Sequence, residues 1–289
     1  MGHHYIPQRY LRQFEQSPGA GRVFQHLVGE WRGRSVAIVN AAQSKGFYTE
    51  EQERMLGTDI ETPGSEAMEA LLAGNRIDLE QRCAIGAYLA TMQQRVPQSR
   101  RKSREQIPNL VRGWMQERRK EIAELAATEE IDPARVAEVL AAMRRVEEEA
   151  VTRQTGPIEA FVRDPRPFPL VTHAITCMWW RIFATNGPQF FVTTDNPLVD
   201  ANGFGNTDSE FFFPLSPRRL LHGSWLMTGR QIPICRISQA GVRYINRVLI
   251  LSATTAVYAN MKCPWMTKFA NITSHTPHVP YIELQPNLR

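Results

Sequence analysis

Helix-start signals concentrate in the middle of this chain, and strand-like segments lie on both sides of it. Thr49 and Asp78 are each followed three residues later by a glutamine, which is the spacing of a capping box. Asp132-Pro133 is typical of a further helix start. The flanking segments carry β-branched and aromatic residues between turn-forming Gly, Pro and Asn. This order favours an α+β fold, with a mostly antiparallel sheet from the N- and C-terminal segments and a helical middle section.

The chain is long enough for a sizeable core, and we expect its residues 1–289 to form a single domain. The helical subregion is expected at about residues 49–155, and the strand-rich C-terminal part at about residues 165–289. Local patterns predict individual elements within this organisation.

The helix that starts after Asp78 should be buried and should end before Pro97. A break is expected at Thr62-Pro63-Gly64. Residues 178–197 predict two strands around an Asn-Gly turn, and Ser238 should cap a long amphipathic helix that reaches Val257.

Basic residues concentrate between Arg95 and Lys120, a stretch with nine basic and two acidic residues. The whole chain has a net charge of +5. Such a segment permits a nucleic-acid partner, although a solvated helix face explains it as well. The sequence has no membrane-length apolar run and no secretion signal, so we expect a cytoplasmic protein without a membrane partner. Its four widely spaced cysteines favour reduced core residues over a zinc site. The oligomeric state is not indicated.

Two stretches have the character of a functional site. At the N-terminus, His4 precedes a helix-like segment that begins with Gln8, and histidine both transfers protons near neutral pH and binds metals. In TTDNP, residues 193–197, an aromatic-anchored strand delivers Asp195 and Asn196 at its end, where site residues often lie. Packing is the alternative in each case, because His4 would suit a sheet edge and Asp195 an Asx turn. No phosphate-binding loop or other established motif names a cofactor.

Five separated stretches occur together, in one order, in a bacterial family. They are HHYIPQRYLRQF at residues 3–14, R-x-P at 95–97, FFVTTDNPL at 190–198, FFFPLSP at 211–217 and INRVLILSATTAVYA at 245–259. In this order they resemble family 4238 of the domains of unknown function over nearly the whole chain. The resemblance implies a set of polar residues rather than an activity. That set is His4, Tyr10, Glu61, Arg95, Asp195, Asn196 and Asn246.

We interpret this set as a composite site that forms only on folding, and two hypotheses follow from it. In the first, the protein is a phosphodiester hydrolase, a nuclease of the phage-defence or toxin type that binds RNA or DNA. Its catalytic residues would be His4, Asp195, Arg95 and Glu61. Its substrate-binding residues would be Gln8, Tyr10, Asn196, Asn246, Arg100, Arg101 and Lys102.

Metal binding is part of the first hypothesis. His4, Asp195 and Glu61 would hold a divalent cation, Mg²⁺ or Mn²⁺. In the second hypothesis the same polar cluster binds a nucleotide or another small anion and regulates a partner without catalysis. The two hypotheses differ in whether His4, Glu61 and Asp195 converge in an open cleft.

Overall fold

The computed structural model describes residues 2–30, 32–45, 49–128, 132–148, 166–227 and 231–269. The chain forms two compact units, one from residues 1–96 with 165–289 and one from residues 97–164. Strands at both ends of the chain and helices in the middle confirm the α+β fold. The single domain over residues 1–289 stays a prediction.

The first unit contains all the strands that the structure describes. In chain order they are β1 (Gly2–His4), β2 (Arg22–Leu27), β3 (Gly33–Ala37), β4 (Gln43–Lys45), β5 (Trp179–Ala184), β6 (Thr193–Thr194), β7 (Val199–Ala201), β8 (Glu210–Ser216), β9 (Arg219–Ser224), β10 (Ile234–Arg236) and β11 (Ala256–Ala259). They form three sheets with the orders β1-β4, β3-β2-β11-β6 and β10-β5-β9-β8-β7. Pairing is antiparallel except between β10 and β5, which confirms a mostly antiparallel arrangement.

Helices pack on these sheets in the first unit and make up the described part of the second. The α-helices are α1 (Gln8–Leu11), α2 (Glu50–Met55), α3 (Thr62–Leu72), α4 (Leu79–Arg95), α5 (Pro97–Thr128), α6 (Pro133–Glu148), α7 (Pro169–Cys177) and α8 (Gln239–Ser252). A π-helix covers Leu56–Glu61, and short 3-10 helices cover Arg12–Phe14, Ile38–Asn40 and Pro264–Phe269. Among the described residues, none of these helices has the length and apolarity to cross a bilayer.

The N-terminal segment is part of the core. Ile6, Leu11 and Phe14 are fully buried. The Tyr10 hydroxyl lies 2.7 Å from Thr193 Oγ1 and donates to the Pro214 carbonyl at 2.8 Å. Because these partners come from the strand-rich part of the chain, the first residues are held against the C-terminal half.

The predicted capping boxes and the end of α4 are confirmed. Thr49 accepts from the main chain of Gln52, and Asp78 accepts from the main chain of Gln81. The glutamine side chains return the bond in both cases. The main chain at Val96 is extended, as expected before proline, so α4 ends at Arg95.

The predicted break at Thr62-Pro63-Gly64 is wrong. The chain stays helical through it by widening into the π-helix, and the Thr62 hydroxyl donates to the Gly57 carbonyl at 2.7 Å. Proline lacks a donor and clashes with the carbonyl one turn earlier in a regular α-helix. A wider turn before Pro63 relieves that conflict, and such turns are common at functional sites.

The predicted hairpin around Asn186-Gly187 is also wrong, because β5 and β6 belong to different sheets. The Gln239 side chain holds the chain between them, accepting from the Gln189 amide at 2.8 Å and donating to Thr185 at 3.3 Å. Ser238 caps α8 as predicted, accepting from the Gly241 amide. That helix ends at Ser252 rather than continuing to Val257, because Asp195 holds Thr254 and Thr255 in a turn and the chain then enters the sheet as β11.

The cysteines are free thiols, and only part of the prediction for them holds. Cys263 is buried and Cys235 is partly buried, whereas Cys83 and Cys177 are exposed. Cys83 and Cys177 are therefore not core residues. Helical periodicity could not distinguish the buried face of α4 from the face that carries Cys83.

Candidate functional site

Arg95 joins three separated parts of the chain. It is the last residue of α4 and is 2% exposed. One terminal guanidinium nitrogen donates to Glu61 Oε1, and the other donates to the main-chain carbonyl of His4. Since Glu61 ends the π-helix and His4 ends β1, one buried side chain fixes the positions of both. The structure thus brings together His4, Glu61 and Arg95, three of the predicted catalytic residues.

The π-helix places Glu61 for this contact. Leu56 and Ile60 on the same helix are buried and anchor it in the core. The Glu61 side chain keeps 24% of its surface exposed, while that of Arg95 keeps 1%. Glu61 is therefore the solvent-facing partner of the pair. Arg95 is the buried partner, and a buried guanidinium requires an opposite charge beside it.

Glu53 on α2 is a further acid near these residues, and we call the set His3, His4, Glu53, Glu61 and Arg95 the Arg95 cluster. The charges that act on the carboxyl of Glu53 are those of Arg95, Glu61, His3 and His4. Its Oε2 atom is buried and makes no hydrogen bond with the residues that the structure describes. Burial raises the pKa of Glu53, and the attraction of Arg95 opposes this effect. The structure thus places a carboxyl of raised pKa near the imidazoles of His3 and His4.

His4 has a defined ring orientation. Its Nε2 atom lies 3.2 Å from the Val39 carbonyl oxygen, and a carbonyl can only accept, so Nε2 carries the hydrogen. In neutral His4 the lone pair is then on Nδ1, which is able to accept a proton. Both His3 and His4 are partly exposed. The imidazole of His4 is thus oriented and within reach of solvent.

Asp195 has a different environment. It is fully buried, and its Oδ1 accepts from the Thr254 amide at 2.9 Å. Its Oδ2 accepts from the Thr254 hydroxyl and the Thr255 amide, both at 2.7 Å. Burial raises the pKa of Asp195 while these bonds oppose the rise. The carboxylate therefore fixes the turn between α8 and β11.

Two buried phenols lie next to Asp195. Burial, followed by the charge of Asp195, raises the pKa of Tyr258 to about 12. Burial, Tyr258 and Asp195 raise the pKa of Tyr5 as well. Tyr5 follows His4 in the chain, so the Asp195 region is linked to the Arg95 cluster through the main chain. Among the described contacts, no hydrogen bond or ion pair joins the side chains of His4 and Asp195.

The other predicted substrate-binding residues mostly make bonds within the fold. Asn246 accepts from the Val192 amide at 3.1 Å and donates to the Phe190 carbonyl at 2.7 Å, which holds the chain that leads into β6. The Asn196 amide donates to Thr194 at 3.0 Å. Tyr10 bonds β6 and β8, as described above. Gln8 is partly exposed on α1, and the side chains of Arg100, Arg101 and Lys102 lie outside the described residues.

The structure does not assemble the predicted metal site. In the part of the chain that it describes, no three His, Cys, Asp or Glu side chains form a group that could hold a metal ion. For His4, Glu61 and Asp195 the physical reason lies in their contacts. Asp195 uses both oxygens on Thr254 and Thr255, and Glu61 is paired with Arg95.

A cavity of about 470 Å³ lies elsewhere in the first unit, between the start of α4 and the β5–β10 edge, and Arg82 lines it. The Arg82 Nε donates to the Thr176 carbonyl at 2.7 Å. Its guanidinium lies over the Trp180 ring, with its carbon 4.0 Å from the ring centroid. These contacts fix the guanidinium of Arg82 at the wall of the cavity.

Glu53 was missed by the sequence reasoning. The first turn of α2 contains Glu50, Glu51 and Glu53, and acidic residues are common at any helix N-terminus because of the helix dipole. No pattern separates Glu53 from its neighbours. The signal that could have found it is its proximity to His3, His4 and Arg95, which only the folded chain supplies.

Comparison with known proteins identifies a family and no closer relative. Neither a curated protein nor a solved structure matches the chain. One family model, described as "Protein of unknown function (DUF4238)", matches residues 2–262 of the 289. This match includes the Arg95 cluster and Asp195, and it agrees with the family that the sequence resembles. The chain therefore belongs to the DUF4238 family of proteins of unknown function.

Proposed function

We propose that this protein is a phosphodiester hydrolase with nuclease-like activity. The observation that carries the proposal is the Arg95 cluster, in which two partly exposed histidines and a carboxyl of raised pKa meet around a buried cation. Enzymes that split phosphodiesters by general acid–base catalysis need one group that takes a proton and another that supplies one. His4 on β1 and Glu53 on α2 provide such a pair.

The roles follow from the environments of the side chains. His4 is the general base and accepts a proton at Nδ1 from the attacking water as the new O–P bond forms. Glu53 is the general acid and gives its proton to the leaving oxygen as the ester bond breaks. Arg95 is too deeply buried to contact substrate, so it is a positioning residue that acts through Glu61 and the His4 carbonyl.

The second unit supplies basic side chains for a nucleic-acid backbone. Among its described residues, Arg112 and Lys120 are exposed. Contacts of this kind release counterions from the nucleic acid, and the affinity then falls steeply with salt. A bacterial defence or toxin role in the cytoplasm belongs to the same proposal, since such a nuclease would arrest growth when it is expressed.

Cleavage of labelled single-stranded RNA and DNA by the full chain tests the proposal, with EDTA in one arm and added Mg²⁺ or Mn²⁺ in another. We expect His4→Ala and Glu53→Gln each to lower the rate of cleavage about 100-fold and to relieve any growth arrest. His173→Ala is the matched control, because His173 is an exposed histidine on α7 outside the cluster. Absence of cleavage in every arm, or full activity of both variants, would contradict the proposal.

The second candidate function is binding of a nucleotide or small anion without catalysis. The observation that favours it is Arg82, whose guanidinium is held by main-chain carbonyls and Trp180 at the wall of the cavity. A pre-oriented guanidinium is a good phosphate partner. Calorimetric titration with nucleotides distinguishes the two functions, since this one predicts binding that Arg82→Ala removes and Glu53→Gln leaves unchanged.

A further inference from the structure

The described helices of the second unit, α5 and α6, form a hairpin that has little core among the described residues. A short connection joins α5 to α6, and the ion pair between Arg119 and Glu147 fits antiparallel packing. Partly buried residues recur at helical spacing along the seam between the helices. They are Met115, Arg119, Ile122 and Ala126 on α5 and Val136, Leu140, Met143 and Glu147 on α6. No described residue of α6 is fully buried.

Large apolar side chains remain exposed beside this seam. Trp114 is 65% exposed and Leu125 is 48% exposed on α5, and Val139 and Val146 are 42% and 52% exposed on α6. Exposed apolar side chains that cluster on one surface mark interaction sites.

Helical geometry places these four residues on one side of the hairpin. Trp114 and Leu125 are separated by about three helical turns, and Val139 and Val146 by about two, so each pair forms a stripe along its helix. Each stripe lies about a quarter turn from the seam. Because the helices run in opposite directions, both stripes lie on the same side.

On α5, the side chains of this surface have symmetric spacing and complementary charges about one midpoint. Arg118 and Glu121 lie between Trp114 and Leu125 on the same stripe and form an ion pair within the helix. The order Trp, Arg, Glu, Leu has equal spacings on both sides of its midpoint, which falls between Arg119 and Lys120. A two-fold axis through this midpoint would place a second α5 antiparallel to the first.

In that arrangement, Trp114 meets Leu125 of the partner subunit, and Arg118 meets Glu121 of the partner subunit. An apolar side chain then packs on an apolar one at each end, and opposite charges face each other in the centre. An interface in which the same patch is used by both subunits requires this kind of self-complementarity. A nucleic-acid or unrelated protein partner would not require it.

We propose that this surface is the interface of a homodimer, in which the hairpins of two chains pack as a four-helix bundle. We name it the hairpin face, and it consists of Trp114, Arg118, Glu121, Leu125, Val139 and Val146. A second hairpin supplies an apolar layer for the exposed side of α5 and α6. The proposal does not depend on the proposed hydrolase activity.

Sedimentation equilibrium of the full chain tests the interface. We expect a dimer for the unchanged protein and a dissociation constant at least about tenfold higher for Trp114→Ala, since buried aromatic residues dominate interfaces. Lys120→Glu is the matched control, because Lys120 is an exposed cation on the opposite side of the same helix. The control should leave the dissociation constant unchanged.

The charge pattern allows a sharper test. Arg118→Glu places glutamate against glutamate, and Glu121→Arg places arginine against arginine, so each variant alone should dimerise more weakly. An equimolar mixture of the two variants restores opposite charges at both contacts and should recover association. Circular dichroism of each variant reports whether the helices remain formed.

A monomeric unchanged protein at the highest soluble concentration would overturn the proposal. So would a dimer that tolerates Trp114→Ala and shows no difference between the single charge variants and their mixture. If Trp114→Ala fails to fold, the mixture of charge variants decides, since both substitutions lie on solvent-facing side chains.

Discussion

Burial raises the pKa of both Glu53 and Asp195, but the carboxyl oxygens of these two acids differ in their hydrogen bonds. The oxygens of Asp195 accept three hydrogen bonds from Thr254 and Thr255. The buried Oε2 of Glu53 accepts none from the residues that the structure describes, and histidines lie next to it. Fully bonded buried carboxylates hold a fold together, whereas a buried oxygen without a partner requires another explanation. For Glu53, the proton transfer that we propose is such an explanation.

The largest effect on this comparison is expected from Arg95→Ala, which removes the side chain that organises the Glu53 region. Glu61 and the His4 carbonyl lose their partner, and the free energy of unfolding should fall by about 3 kcal/mol. Urea denaturation measures this change. Arg112→Ala, at an exposed position in α5, is the control and should have almost no effect. Equal stability of the two variants would show that the Arg95 cluster does not support the fold.

Glu53→Gln tests the same region without removing a bond that the fold uses. We expect the rate of phosphodiester cleavage to fall about 100-fold, which corresponds to about 2.7 kcal/mol in the activation barrier. The free energy of unfolding should stay the same or increase, because the buried Oε2 atom, which accepts no hydrogen bond from the described residues, no longer belongs to an ionisable group. A large loss of stability with unchanged cleavage would reverse the assignment and make Glu53 a structural residue.

The sequence predicts much of the fold because its signals are local. The capping boxes at Thr49 and Asp78 depend on residues three positions apart, and Ser238 caps α8 in the same way. The hairpin predicted at Asn186-Gly187 does not form, because the side chain of Gln239, far away in the sequence, holds this segment in another conformation. Long-range contacts of this kind leave no local pattern.

The candidate site could be predicted only in part for the same reason. Family resemblance supplied His4, Glu61 and Arg95, and the structure brings these three together. The sequence could not show that both carboxylate oxygens of Asp195 accept hydrogen bonds within the fold, because Thr254 and Thr255 were expected within a helix. Nor could it show Glu53, whose importance depends on where α2 packs.

Asp195→Asn should act on stability and not on chemistry. The amide keeps one acceptor oxygen but directs an NH₂ group at donors of Thr254 or Thr255, so the free energy of unfolding should fall by about 2 kcal/mol. Thermal unfolding gives the change in stability, and cleavage assays well below the midpoint give the activity of the folded variant. If the folded variant had lost cleavage, Asp195 would belong with Glu53 rather than contrast with it.

The smallest expected effect is the dependence of stability on pH. A raised folded-state pKa means that folding favours the protonated carboxyl, so this contribution of Glu53 is fully present below its unfolded pKa of about 4.3. It is lost as the pH rises through the folded pKa. Asp195 has a shift of the same sign, and pH alone therefore cannot separate the two acids. The difference in unfolding free energy between the unchanged protein and Glu53→Gln, measured at each pH, isolates Glu53. The unchanged protein should lose stability relative to Glu53→Gln as the pH rises from about 4. A difference that stays constant would show that Glu53 titrates in the folded protein as it does in the unfolded chain.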